Sequence, residues 1–191
     1  LSPADLKITD SLGLRTGLFG SQILSEIPDS RPCFMAKGAY MLPANTALSR
    51  TITGNASGKY TFNSITPDGT SIVLESVDTS PGEEDLLAIN ADGTQIRFSP
   101  GSDKNFRLTL ARQVDREIRA ISVEGIGGGP GAEVDITISP ELSLCRIGNR
   151  SSAKNVDLKA FAINSDTQAH SSIERGGVAL PQNNDLLLAI T

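Results

Sequence analysis

The 191-residue chain carries 17 basic and 22 acidic side chains, one His and a formal charge of −5. That balance excludes the concentrated basic surface needed to hold a nucleic-acid backbone. Hydrophobic residues make up 38% and aromatics 4%, with no Trp, so the core has to be built from Leu, Ile and Val, whose shapes suit strands.

Eighteen Gly and ten Pro, spread without a period, mark many turns and fit neither collagen nor low complexity. No apolar run approaches the roughly 20 residues of a membrane-spanning helix. The chain opens on Leu1 rather than Met, with no basic-then-apolar leader, and reads as a processed product or an excised piece.

Residues 1–45 are expected to form a connecting or edge-covering segment. Positions 4–8 read as a first strand, after which Thr16-Gly17 and Gly20 are expected to break any regular element. Pro28-Asp29-Ser30 and Arg31-Pro32 then oppose a continued ladder, because proline fixes φ and lacks a donor.

From residue 46 short extended runs (49–53, 60–62, 71–77, 86–91, 94–98 and 106–110) are separated by Pro-Asp-Gly-Thr, Ser-Pro-Gly, Ala-Asp-Gly-Thr and Ser-Pro-Gly-Ser. Periodic strands split by such turn chemistry signal an antiparallel sheet. Asp92-Gly93 is the strongest hairpin signal, since Asp-Gly readily takes the positive φ angles of a type I′ turn. Phe106, Leu108 and Leu110 alternate with Arg107 and Thr109, a strand with one buried face.

Two further runs, 118–124 and 133–139, flank the glycine-rich segment 125–131. That segment is expected to be a hinge between two sandwiches or one wide hairpin inside a single one. Strands at 142–147, 156–163, 170–173, 178–180 and 186–190 complete the chain, with Gly176-Gly177 breaking the sequence between two of them. Nothing reads as a long helix.

The segment Asp10-Ser11-Leu12-Gly13-Leu14-Arg15-Thr16-Gly17, with Glu26-Ile27-Pro28 further on, resembles one recurring in large exported bacterial proteins, including those of cyanobacteria. There it tends to read Asp-Pro-Leu-Gly-Arg-Arg-Thr-Gly, then Glu-Ile-Pro-Gly. A sandwich module carrying Gly-x-Tyr-x-Leu follows it, matched here by Gly58-Lys59-Tyr60-Thr61-Phe62. The resemblance covers about the first third of the chain, and Ser11, Leu14 and Asp29 depart from the pattern. It implies a non-catalytic part of a multidomain chain, and no functional residue carries over.

Each candidate for chemistry has a plainer reading beside it. His170 is the one histidine, and a triad needs a nucleophile on a strained turn such as Gly-x-Ser-x-Gly, which is absent; it reads as an exposed strand or loop residue. Glu83-Glu84-Asp85 supplies neighbouring carboxylates for glycosidase chemistry, but without aromatic sugar platforms these acids read as guards of a sheet edge.

Calcium takes oxygen ligands from scattered loops, and Asp78, Glu83, Glu84, Asp85, Asp92 and Asp103 all fall in turns. No Asp-x-Asp-x-Asp-Gly spacing accompanies them. Cys33 and Cys145 have no zinc or redox spacing; they either close one disulfide or stay unpaired as small hydrophobes. The cluster Arg107, Arg112, Arg116 and Arg119 is interleaved with Asp115 and Glu117 and reads as a solvated strand face.

The expectation is an all-β protein, an antiparallel β-sandwich of one or two immunoglobulin-like modules. Its parts are a connecting segment at 1–45, a first module at 46–114 and a second at 115–191, with one continuous sandwich over 46–191 as the alternative. No catalytic, cofactor or metal residue is assigned. The expected role is a non-enzymatic structural, spacer or adhesion module of a larger secreted or cell-surface protein, with carbohydrate binding, calcium-assisted or not, as the alternative. Its expected partners are neighbouring domains of the same polypeptide and another protein joined by edge-strand pairing.

Overall fold

The computed structural model describes residues 3–33, 36, 38–150 and 153–189; the last residue of the expected strand 186–190 lies outside them. The protein is an antiparallel β-sandwich. Among the described residues no helix is long and apolar enough to cross a membrane.

The strands in chain order are β1 (Ala4–Thr9), β2 (Arg15–Phe19), β3 (Gln22–Ser25), β4 (Arg31–Pro32), β5 (Tyr40–Met41), β6 (Leu48–Gly54), β7 (Gly58–Ile65), β8 (Ser71–Thr79) and β9 (Glu84–Ile89). Then follow β10 (Gln95–Ser99), β11 (Lys104–Val114), β12 (Glu117–Gly128), β13 (Val134–Ile138), β14 (Leu144–Asn149), β15 (Lys154–Asn164), β16 (His170–Leu180) and β17 (Asn184–Ala189).

A nine-stranded sheet has the order β17-β14-β13-β10-β9-β6-β1-β2-β3, and a six-stranded sheet the order β16-β15-β12-β11-β8-β7. From β7 onward the chain lays down one hairpin in the small sheet, the next in the large one, and so on: β7–β8, β9–β10, β11–β12, β13–β14, β15–β16, then β17. Val114 and Asp115 fall on the hairpin whose strands β11 and β12 pair from Lys104–Gly128 to Val114–Glu117.

Period-2 alternation explains the core. Leu48, Ile52, Leu87, Ile89, Ile96 and Phe98 face inward from the large sheet, against Tyr60, Phe62, Ile72, Leu74, Leu108 and Leu110 from the small one, all buried. The interior is mostly aliphatic; Tyr60 and Phe62 are buried in it, and Phe98 meets Phe106 edge to face, ring centres 4.9 Å apart.

Five local expectations need correction. Thr16-Gly17 and Gly20 do not end regular structure: β2 runs through Gly17 and turns into β3 at Gly20 (φ 62°), the first central residue of a two-residue hairpin with Phe19 facing Gln22. Such turns favour glycine there. The opposition to a ladder at Arg31-Pro32 holds only in part, since β4 and β5 pair over two positions.

Asp92-Gly93 does join a hairpin, but not as a type I′ turn, for of the two only Gly93 has positive φ. Asn90-Ala91-Asp92-Gly93-Thr94 is a longer turn in which Asp92 Oδ1 accepts from Thr94 N at 2.9 Å and Gly93 N donates to Asn90 O. Thr66-Pro67-Asp68-Gly69-Thr70 repeats it, with Asp68 Oδ1 accepting from Thr70 N at 3.1 Å. Aspartate's short side chain caps the turn from within, so a single left-handed glycine suffices.

The glycine-rich segment is not one loop. Gly125, Gly127 and Gly128 belong to β12, and only residues 129–133 connect it to β13 in the other sheet. It is therefore not a wide hairpin. Gly176-Gly177 likewise does not split a strand: β16 continues through a bulge opposite Val156 and Leu158, with Gly177 N donating to Asp157 Oδ1 at 2.7 Å.

Candidate functional site

The polar centre of the molecule is buried between the two sheets, where β9 of the large sheet faces the start of β11 of the small one. Alternation in β9 turns Asp85 inward with Leu87 and Ile89, and alternation in β11 turns Lys104 inward with Phe106 and Leu108. The Lys104 side chain is 0% exposed and that of Asp85 1%. Burying two charges is tolerated only when each is paired and hydrogen-bonded.

Both conditions are met. Lys104 Nζ lies 2.8 Å from Asp85 Oδ1 and 2.9 Å from Oδ2, and donates to Asp78 O at 2.8 Å. Glu83 Oε1 lies 2.5 Å from the same nitrogen. Asp85 Oδ2 also accepts from the Tyr60 hydroxyl at 2.6 Å, and Oδ1 from Gly101 N at 2.7 Å.

Glu83 in turn accepts from Ser80 N at 3.0 Å and from the Ser102 hydroxyl. Burial acts to raise the Glu83 carboxyl, but hydrogen bonds from Lys104 and Ser102 outweigh it and hold it below the usual carboxylate range. Burial, followed by the Asp85 charge and hydrogen bond, pushes the Tyr60 phenol far up, so it stays a donor.

Glycines permit the close approaches that build this site. A Cβ on Gly101 would stand 2.3 Å from Glu84 O, and one on Gly127 would stand 1.8 Å from Lys104 O. The first lets a backbone N–H reach Asp85; the second lets β12 press against the backbone of Lys104.

Of the acids that the sequence marks as calcium candidates, two converge here, but on an ammonium of the chain itself. The others are spent separately. Glu84 pairs with Lys7 at 3.1 Å, Asp78 with Lys59 at 3.5 Å and Asp103 with Lys154 at 3.8 Å, while Asp92 caps its own turn. Among the described residues no group of three or more His, Cys, Asp or Glu is placed to hold a metal ion.

The remaining candidates are dispersed. His170 is exposed at the start of β16, three strands from β11 in the small sheet. Cys33 and Cys145 are both free thiols; Cys145 is buried, which pushes its thiol up to about 12. Arg107, Arg112, Arg116 and Arg119 each meet an acid, Glu124, Asp68, Asp166 and Glu117 respectively, at 2.6–2.9 Å.

Sequence reading misses Lys104 and the partnership of Tyr60 with Asp85. The signal was present in the period: extending the 106, 108, 110 alternation back two residues places Lys104 on the buried face, and extending 87, 89 back does the same for Asp85. A charge on a buried face of each of two facing strands is what marks the pair.

A shallow groove on the outer face of the large sheet is a further concave feature, lined by Asp10, Asn90, Gln95, Arg97, Asp135 and Arg146 among others, and a second cleft is lined by Tyr40, Leu42, Phe62 and Ile65 among others. No protein-family model, no curated protein and no solved structure matches the chain.

Proposed function

We propose that the chain is a non-catalytic structural module, a spacer or adhesion unit of a larger secreted or cell-surface protein. Its partners are neighbouring domains of the same polypeptide and, through its edge strands, another protein. The observation that carries this reading is where the polar chemistry sits. The most elaborate set of charged groups lies sealed between the sheets, joining one to the other, where it serves cohesion rather than an outside substrate. The resemblance of residues 10–17 to a segment of exported multidomain proteins points the same way.

The test is a hydrolase substrate panel run on the purified chain, with Glu84→Gln and His170→Ala variants alongside. The expected result is no turnover. Activity that disappears in either variant overturns the reading.

Carbohydrate binding is a second reading, favoured by the groove on the large sheet, whose Asn, Gln, Asp and Arg side chains suit hydroxyl groups. A glycan array decides it: binding lost on changing Arg97 to Ala supports it, and an empty array removes it.

A further inference from the structure

We propose that Lys104 and Asp85 react with each other, forming an amide between the Lys104 side-chain nitrogen and the Asp85 side-chain carboxyl carbon that covalently joins the two sheets. The inference goes beyond the module reading and does not depend on it.

The geometry assembles every part such a condensation needs. Nζ lies almost equally far from both carboxylate oxygens, which sets it opposite the carbon it must attack. Two reactants held in contact within a rigid interior gain effective concentrations far above any solution value. Asp85 Oδ1 already accepts a fixed backbone N–H from Gly101 at 2.7 Å, the type of donor that stabilises charge developing on a tetrahedral oxygen. Glu83 touches the same nitrogen from another side and is placed to carry protons.

The step balances without a co-reactant. Lys104 begins as an ammonium with three protons and Asp85 as a carboxylate. One proton passes from Nζ to Glu83, and the freed electron pair attacks Cγ, forming the C–N bond and placing charge on Oδ1. Glu83 then delivers that proton, and a second taken from the nitrogen, to Oδ2, the oxygen Tyr60 already hydrogen-bonds. The C–Oδ2 bond breaks, one water leaves, and the amide keeps the third proton.

The product suits the site better than the reactants do. A neutral amide replaces two buried charges whose desolvation opposes folding. Its N–H still faces Asp78 O and its carbonyl still faces Gly101 N–H. Because Lys104 starts β11 and Asp85 lies in β9, the new bond crosses the sandwich rather than a turn.

Mass spectrometry of the intact, denatured chain tests this directly, with no variant needed. The expected mass is one water below that of the sequence. Trypsin then has to release the segments 60–97 and 98–107 as one branched peptide, uncut after Lys104, since an amide there removes the cleavage site. A chain at full sequence mass overturns the proposal. So does a missing water confined to segment 60–97 with normal cleavage after Lys104, the signature of a cyclic imide at Asp68-Gly69 or Asp92-Gly93.

Glu83→Gln keeps the size of the side chain but cannot carry the proton. With an unchanged circular dichroism spectrum, its conversion after refolding is expected to be slower by roughly a hundredfold. Conversion at the wild-type rate overturns the part assigned to Glu83.

Discussion

The middle of the sandwich and its β16–β17 edge are held together by different means. Around β9 and β11 the sheets are joined by buried polar groups, and Lys104, Asp85 and Tyr60 are each within 3% of full burial. At the edge β16 is exposed at every position from His170 to Gly177, on both of its faces, and Ile173 and Leu187 are 57% and 62% exposed. The middle buries its charges and the edge leaves apolar side chains in water. The contrast teaches that alternation alone does not seal a sandwich: a strand needs a partner sheet over it, and β16 extends beyond the cover that β17 provides.

The sharpest way to break the comparison is to remove the cation. Compared with the parent chain before the Lys104–Asp85 amide has formed, Lys104→Met leaves Asp85 buried without its counter-charge, a change that costs about 3–5 kcal/mol, read as a lower urea midpoint with unchanged slope. The equivalent loss at the thin edge, Arg175→Met on exposed β16, is expected to stay within about 0.5 kcal/mol. Equal effects would mean that centre and edge do not differ in the way their burial implies.

A gentler cut at the same place, again read before the Lys104–Asp85 amide has formed, is Tyr60→Phe. The ring and its packing remain, while Asp85 Oδ2 loses the hydroxyl 2.6 Å away. A hydrogen bond to a charged group contributes about 1.5–3 kcal/mol, so a loss in that range is expected from the same denaturation experiment. Because Gly101 N–H and Lys104 still hold the carboxylate, the cost has to be smaller than that of Lys104→Met.

The cohesive centre was less legible in the sequence than the turns around it. Asp68-Gly69 and Asp92-Gly93 carry their geometry locally, in a short acid and a glycine, and both mark the hairpins that form. Lys104 follows Ser-Pro-Gly-Ser-Asp and reads as one more solvated lysine opening a strand, and Asp85 closes what looks like an acidic surface run, Glu83-Glu84-Asp85. What converts them into partners is the crossing of the chain from one sheet to the other between β10 and β11, a long-range fact with no local signature. The glycines of β12 misled for the same reason: their freedom suggests a hinge, whereas Gly127 is needed because another strand's backbone lies where its side chain would be.

A partly exposed tie separates the contribution of burial from that of pairing. Asp68 joins the β7–β8 turn to Arg112 of β11 at 2.7 Å and also accepts from Thr66 and Thr70. Partial burial works to raise its carboxyl, but these hydrogen bonds outweigh it and bring it from 3.8 down to about 2. A depressed carboxylate stabilises the fold above its unfolded value and loses that contribution as pH falls through its folded one. Stability is therefore expected to drop between about pH 4 and pH 2. With a third of the side chain exposed, solvent screening reduces the contribution to about 1 kcal/mol. Asp68→Asn should flatten this segment of the stability–pH curve, and an unchanged curve would remove the tie from the account.

The thin edge contains its own reporter. Cys145 lies on β14 opposite Leu188 of β17, and it is fully buried. Its thiol is pushed up to about 12 by that burial, so a thiol reagent, which needs the thiolate, reaches it only when β17 lifts away. In a Cys33→Ser background, alkylation of Cys145 thus measures local opening at this edge alone. Leu188→Ala trims a half-buried side chain and should cost under about 1 kcal/mol, raising the labelling rate up to about fivefold. Lys104→Met, acting in the middle of the sandwich, should leave that rate unchanged under conditions where the global fold persists. If both variants accelerate labelling alike, the sandwich opens as one cooperative unit and the difference between its centre and this edge is one of exposure only. If Leu188→Ala alone does so, the covered centre stays closed while β17 detaches.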